Sequence, residues 1–183
     1  MKHRFDRKVA PIIAAMSATL ALAVQAADFT LSSPEFKADS ALTAAQYGNA
    51  FGCTGAGISP ALAWANAPAG TRSFAVTYYD KDAPTGSGFW HWVVYDIPAA
   101  TSRIEAGKIP PGAVEHNTDV GKPGYVGACP PPGREHNYVY TVHALNSDKL
   151  DIPPDATAAY ARFVIYANTL AKATLPVTAG PRP

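Results

Sequence analysis

Side chains able to do chemistry concentrate in three segments of this sequence. Asp80 and Asp82 lie in Tyr79-Asp80-Lys81-Asp82-Ala83-Pro84-Thr85-Gly86, and His91 stands between Trp90 and Trp92. His136 and Tyr138 close a third segment that begins at Gly124 and contains Pro130-Pro131-Pro132. His136 and Tyr138 are two residues apart, so on a strand they face the same way. Two imidazoles and a phenol can give several hydrogen bonds to a tetrahedral oxyanion, and a protonated imidazole adds charge-assisted ones. Asp80 or Asp82 beside a histidine would orient its ring and favour the imidazolium, the form an anion prefers. A carboxylate against the anion itself would repel it. The aspartates are therefore expected mainly behind the histidines, or holding an ammonium-bearing head group. Affinity for an anion should then rise as the pH falls towards the ordinary histidine pKa of about 6.5.

Other chemistries use the same residues. Histidine with aspartate is two-thirds of a hydrolytic triad, but the sequence has no Gly-x-Ser-x-Gly. Ser87 in Gly86-Ser87-Gly88 falls one residue short of that pattern, and Ser59 sits in a Ser-Pro turn. His91, His136, Asp80 and Asp82 could ligate a metal, yet no HxxxH or HxH spacing accompanies them. Each segment alone also fits a purely structural role: a hydrated turn, a satisfied core histidine, a stiff proline connector. The expectation is a binding site with no catalytic residue, no metal and no cofactor, the hydrolase and metal readings standing as alternatives.

Charge and export bear on what such a site must do. Lys2, Arg4, Arg7 and Lys8 precede an apolar stretch from Val9 to Val24, which ends in Val24-Gln25-Ala26 before Ala27. This is the pattern of a secretory signal peptide cleaved after Ala26, with residues 27–183 as one exported domain, periplasmic or secreted. The whole chain has 15 Lys+Arg and 14 Asp+Glu; without residues 1–26 these become 11 and 13, a net charge of −2. No lysine–arginine cluster is visible along the remainder. Nucleic acid is thus a poor partner, and an anion must be held by a local site. No later segment is apolar enough to span a bilayer, so after cleavage the product is not expected to be integral to a membrane. Cys53 and Cys129 are too few and too far apart for a zinc ribbon or a CxxC pair. An oxidising compartment would allow them to bridge, a reducing one would leave two buried thiols.

The elements that must position these residues are mostly strands. Ser73–Tyr79, Trp90–Ile97 and Tyr138–Leu145 are β-branched and aromatic, the second continuously so, as a strand covered on both faces would be. Segments dense in Pro and Gly separate them, from totals of 17 and 14, which favours a mainly antiparallel β-domain with long loops over βαβ alternation. One helix is predicted near the end, capped by Asp155. Its apolar positions are Tyr160, Phe163, Val164, Ala167, Leu170 and Ala171, and it stops before Pro176. Thr43–Gln46 reads as a short capped turn, the Ala83–Pro84 bond is a candidate for cis, and Val177–Pro183 reads as a loose tail.

Further motifs precede these segments: Phe51-Gly52-Cys53-Thr54-Gly55, Ser59-Pro60-Ala61-Leu62-Ala63-Trp64, Ala67-Pro68-Ala69-Gly70-Thr71, and Ser73–Val76 running into Tyr79–Pro84. In this order they resemble the signature of the phosphatidylethanolamine-binding protein family, in its bacterial Raf-kinase-inhibitor-like branch. The similarity spans about residues 29–175. The chain departs from the pattern at Lys81 (usually Pro), at Gly57-Ile58, at Asn137, and in a loop at 133–135 that is a residue short. The resemblance implies a two-sheet antiparallel β-fold with a small anion pocket at one end. By motif match the pocket would be lined by Asp80, Asp82, Pro84 and His91. The backbone from Ala128 through Pro130 to Pro131 would join them, with His136 and Tyr138. Relatives accept phosphate, phosphoryl head groups, acetate or cacodylate there, and eukaryotic members bind kinases and other proteins, so a protein partner is also implied.

The leader reading has a direct test. When the full chain is expressed in a Gram-negative host, the periplasmic fraction should contain a product starting at Ala27; a product retaining Met1, or one held in the membrane, would refute it.

Overall fold

The computed structural model describes residues 27–182, so the expected leader, residues 1–26, lies outside the described residues. In chain order the elements are β1 (Thr30–Ser32), β2 (Ser40–Ala41), β3 (Leu62–Ala65), β4 (Ser73–Asp80) and β5 (Phe89–Pro98). There follow β6 (Arg103–Ile104), β7 (Val114–Glu115), β8 (His136–Leu145), α1 (Ala158–Ala167) and β9 (Thr169–Ala179). They make a three-stranded sheet in the order β1-β3-β6 and a six-stranded sheet in the order β2-β9-β8-β4-β5-β7. Every pairing is antiparallel except the short one between β2 and β9. The three β-rich runs of the sequence are β4, β5 and β8, side by side in the middle of the large sheet.

Their near-continuous apolar character follows from cover on both faces. One face meets the small sheet across a core containing Trp64, Phe74, Tyr78, Trp92, Tyr140 and Leu175. The other is partly covered by α1, whose Ala158, Ala161 and Ile165 pack on Ala75, Val93 and Leu145. Small residues at the helix contact let the backbone lie close to the sheet. We call these the inner and outer faces.

Three expectations need correction at the C-terminal end. The helix is capped by Thr157, whose side chain accepts from Tyr160 N–H, and not by Asp155. It ends at Ala167, where Asn168 and Thr169 side chains donate to Val164 O (2.9 Å) and Ile165 O (2.7 Å). Leu170 and Ala171 therefore belong to β9, which pairs with β8 from Thr169↔Leu145 to Ala179↔His136. A ladder of that length outweighs the helical spacing of a few apolar residues, and Tyr160 and Phe163, expected to face the core, are exposed. Nor is the tail loose as far as Arg182: Val177 and Ala179 are buried. Arg182 donates to Pro130 O (2.6 Å) and Gly52 O (3.0 Å). Pro176 is tolerated because the β2 side uses only its carbonyl, which accepts Asp39 N–H (2.8 Å), and no N–H is required of it. The cis proline bond among the described residues is Gly180–Pro181; Ala83–Pro84 is trans. Thr43–Gln46 is a turn, as expected, with Gln46 N–H donating to Thr43 O (3.1 Å).

Cys53 and Cys129 form a disulfide, Cα–Cα 5.8 Å, with a sequence separation of 76. It ties the loop before β3 to the loop before β8. Nearby, Ala128 N–H donates to Gln46 O (3.0 Å) and Gly48 N–H to Ala128 O (3.0 Å), a parallel bridge. Gly127 is obligatory there, since a Cβ would run into the Tyr47–Gly48 backbone. A crosslink closing so long a loop should contribute about 2–4 kcal/mol. Replacing both cysteines by serine should lower the unfolding free energy by that amount in urea titrations. The unreduced protein should take up no alkyl group by mass spectrometry, and uptake of two would refute the bridge.

Candidate functional site

Asp80 ends β4, Phe89 begins β5 and His136 begins β8, so the inner face finishes in a cluster at one end of the large sheet. Asp80 pairs with Phe89 on one side and Tyr138 on the other. Between Tyr78↔Trp92 and Tyr79↔Trp90, His91 is the extra residue of a β-bulge. A bulge bends the strand and re-aims a side chain. Here it turns His91 to the same inner side as its neighbour Trp92, so that Phe89 and His91, two residues apart, both line one cavity of about 200 Å³ while Trp90 goes to the outer face. Gly88 makes the entry to β5 possible: its φ is +70°, and a Cβ would strike Tyr79.

The polar atoms of the cavity are fixed from behind. His136 Nδ1 lies 2.8 Å from Asp80 Oδ2, with both side chains buried. A carboxylate only accepts, so the ring proton sits on Nδ1. Asp80 Oδ1 accepts Asp82 N–H (2.8 Å), which shapes the turn after β4. His91 Nδ1 donates to Val126 O at 2.8 Å, so it too carries its proton on Nδ1. In both rings Nε2 is the atom left for a ligand. Burial pushes His91 down to about 4, against the pull of Val126 O and Asp80. Near neutral pH it is an uncharged ring whose Nε2 accepts. The expectation that its protonation near pH 6.5 would strengthen anion binding is therefore corrected: desolvation outweighs the neighbouring carboxylate.

The sequence-derived residues separate into two groups. Asp80, Pro84, His91, Pro131 and His136 line the cavity. Asp82, Ala128, Pro130 and Tyr138 stand outside its lining. Asp82 accepts from Asn137 N–H (2.7 Å) and Asn137 Nδ2 (2.8 Å), bonds that hold its carboxyl below the ordinary value. The Ala128 backbone is consumed by the bridge described above, and Pro130 O accepts from Arg182. Tyr138 is buried behind the floor, its hydroxyl without a hydrogen-bond partner among the described residues. Burial and Asp80 push that phenol up. Its ring belongs to a stack with Tyr78 (5.4 Å), which lies 4.1 Å from Tyr140. Tyr125 and Tyr140 share a 2.7 Å hydroxyl contact.

Sequence reasoning missed most of the apolar wall, Phe51, Phe89, Val126 and Gly127, while Cys129 falls within the expected Ala128–Pro131 backbone. Phe89 was findable, since a residue two before His91 on a strand shares its face. Phe51 was not, because a left-handed turn (φ +54°) and the disulfide beyond it bring it to the cavity. Among the described residues, no group of three or more His, Cys, Asp or Glu is arranged to hold a metal ion.

The sequence profile described as phosphatidylethanolamine-binding protein matches residues 32–180. The chain belongs to this family. It is 41% identical to the Escherichia coli protein YbcL over 172 residues, covering 90% of this chain and 94% of that one. It is 47% identical to E. coli YbhB over 133 residues, covering 69% and 84%. The crystal structure of E. coli YbcL, described as a new member of the mammalian PEBP family, superposes with a TM-score of 0.82 at 39% identity. That match covers 85% of this chain and all of that one. The two-sheet β-fold is thus that of the phosphatidylethanolamine-binding proteins. Of the departures from the family pattern, Asn137 has a visible role, since both of its N–H groups hold Asp82. Lys81 lies on the outer face, away from the cavity.

The neutral buried histidines make acid a destabilising agent. Below about pH 6.5 an unfolded chain protonates His91 while the folded chain does not, until about pH 4. Stability should therefore fall as pH drops through this window, by on the order of 3 kcal/mol from His91. His143, pushed down to about 3 by burial, and His116, also lowered by burial, act in the same direction. Urea titrations at pH 7.5 and 4.5 measure the loss, and NMR should show the His91 ring untitrated down to pH 5. A His91 midpoint near 6.5 would refute the assignment.

Proposed function

We propose that this family member is a non-catalytic binding protein whose cavity takes a small phosphate-like oxyanion that still carries a hydroxyl group. The observation behind this reading is the shared tautomer of its two histidines. With each Nδ1 proton committed, to Val126 O and to Asp80, the Nε2 atoms complete the ligand's hydrogen bonds. His91 accepts a P–O–H proton, and His136, when protonated, donates to a charged oxygen. Phe51, Phe89, Pro84 and Pro131 supply apolar walls beside them, a setting in which both bonds are stronger than in water. The cavity volume of about 200 Å³ suits a head group.

A binding role fits the rest of the lining better than hydrolysis does. Thr85 supplies the hydroxyl in the lining and donates it to Gly88 O (2.5 Å), while Cys129 is in the disulfide. Neither histidine is bonded to a serine, threonine or cysteine that it could activate at the cavity. The leader pattern of residues 1–26 supports a site of action outside the cytoplasm.

Phosphate and sulfate separate this reading from general anion attraction. At pH 5.5 phosphate retains hydroxyl groups and sulfate has none. NMR titration should show phosphate shifting the His91 and His136 rings and binding at least tenfold more tightly than sulfate. Asp80→Asn should weaken phosphate binding, because the His136 ring loses the carboxylate that orients it. Equal affinity for the two anions, or no shift at either ring, would overturn the proposal.

A further inference from the structure

The outer face of the large sheet is only partly covered. Helix α1 packs over Ala75, Val93, Tyr95 and Leu145, and beyond it a groove of about 440 Å³ runs along the sheet. Register fixes what lies in its floor. Thr77, Thr141 and Thr174 stand side by side across β4, β8 and β9. Adjacent strands are about 4.8 Å apart, so this is an evenly spaced row of hydroxyls. Thr77 and Thr141 are more than nine-tenths buried, at 2% and 8% exposure. All three line the groove, and among the described residues none of their hydroxyls is hydrogen-bonded to protein. Thr174 is exposed, and none of the three hydroxyls is among the buried atoms sealed off without a partner, so the row is open to hydrogen bonds from a ligand in the groove.

The rim is cationic. Lys81, Arg162 and Lys172 line the groove with no carboxylate among its walls, and the ion pairs of the described residues involve none of the three. Arg162 is held between the rings of Trp90 (5.9 Å) and Tyr166 (5.1 Å), which orients a guanidinium whose N–H groups have no acceptor among the described residues. Burial lowers its pKa, the mark of a cation partly stripped of water without a counter-ion. Lys172 stands opposite His143, and Lys81 N–H bonds to Asn137 O, six residues along β8. At strand rise this separates the two ends by roughly 20 Å, too far for one small anion.

We propose that this groove binds an acidic polysaccharide, its charged groups on Arg162, Lys172 and Lys81 and its hydroxyls on the threonine row. Carboxylate and sulfate share the needed chemistry, since either accepts from the guanidinium in a bidentate manner. Nucleic acid fits less well: Tyr79 and Trp90 pack against each other at a tilt, centroids 4.2 Å apart, and Arg162 caps the Trp90 ring, leaving little aromatic surface for bases. A planar membrane would meet the rim and leave Thr77 and Thr141, on the groove floor, unmatched.

Calorimetry with polygalacturonate and dextran sulfate oligosaccharides at low ionic strength tests this. At least one should bind, with amide shifts at Thr77, Thr141 and Lys172. Arg162→Gln combined with Lys172→Gln should weaken binding at least tenfold. Lys172→Gln alone, at an exposed strand position, should weaken it about threefold with an unchanged melting temperature. Absence of binding, unchanged affinity in both variants, or shifts confined to the His91 cavity would overturn the proposal. So would equal binding of neutral dextran, polyglutamate, polyphosphate or anionic phospholipid vesicles.

Discussion

A carboxylate buried at the end of a strand must have its hydrogen bonds satisfied, and the architecture around Asp80 is organised by that requirement. One oxygen takes the His136 ring from the neighbouring strand and the other takes the Asp82 N–H of the following turn. The first bond fixes which nitrogen of His136 is free; the second sets the course of the loop that carries Pro84 and Thr85 to the cavity. Removing one partner of such a buried pair typically costs about 3–5 kcal/mol. The site is therefore coupled to the stability of β4 and β8, the strands at the centre of the sheet. The disulfide extends the same logic to the opposite wall, where Phe51 and Cys129 are held by a covalent tie between loops with no ladder of their own.

Polar groups in this sheet are sorted by strand parity. On β8, His136, Tyr138 and Tyr140 face inward, while Thr141 and His143 face outward; on β4, Tyr78 and Asp80 oppose Thr77 and Tyr79. The β-bulge breaks this parity on β5 by letting the adjacent His91 and Trp92 both face inward, which places the imidazole in the cavity and Trp90 on the outer face. One inserted residue thus contributes to both surfaces. Without it, strict alternation from the inward Trp92 would turn both His91 and Phe89 outward and Trp90 inward, and the cavity would lose both.

What was legible in the sequence follows from the same geometry. The runs that became β4, β5 and β8 were readable because strands covered on both faces leave a continuous apolar signal. The shared face of His136 and Tyr138 was readable from period two, though this did not reveal that the Tyr138 ring ends behind the floor. The end of α1 was misread because its aromatic residues lie on the exposed side and its contact face uses alanines, which carry little hydrophobic signal. Ala128 was misassigned because its neighbours Gly127 and Cys129 line the cavity while its own backbone is spent on a bridge to a segment some 80 residues earlier. No local pattern encodes such a contact.

Charge shows the limit of linear reading most clearly. Beyond residue 26 the composition is slightly acidic and no basic run is visible, which argues against a general grip on polyanions. Yet Lys81, Arg162 and Lys172, distant in sequence, converge on one groove without a carboxylate in its walls. Their combined field reaches His143 beneath, where Arg162 and Lys172 add to burial in lowering its pKa. At physiological salt, fields are screened within about 8 Å in water but less in a partly buried groove. A protein with small net negative charge can thus present one local cationic surface. Under the two proposals, the His91 cavity would select for a hydroxyl through a single neutral imidazole, and the outer groove would select for length through spaced cations.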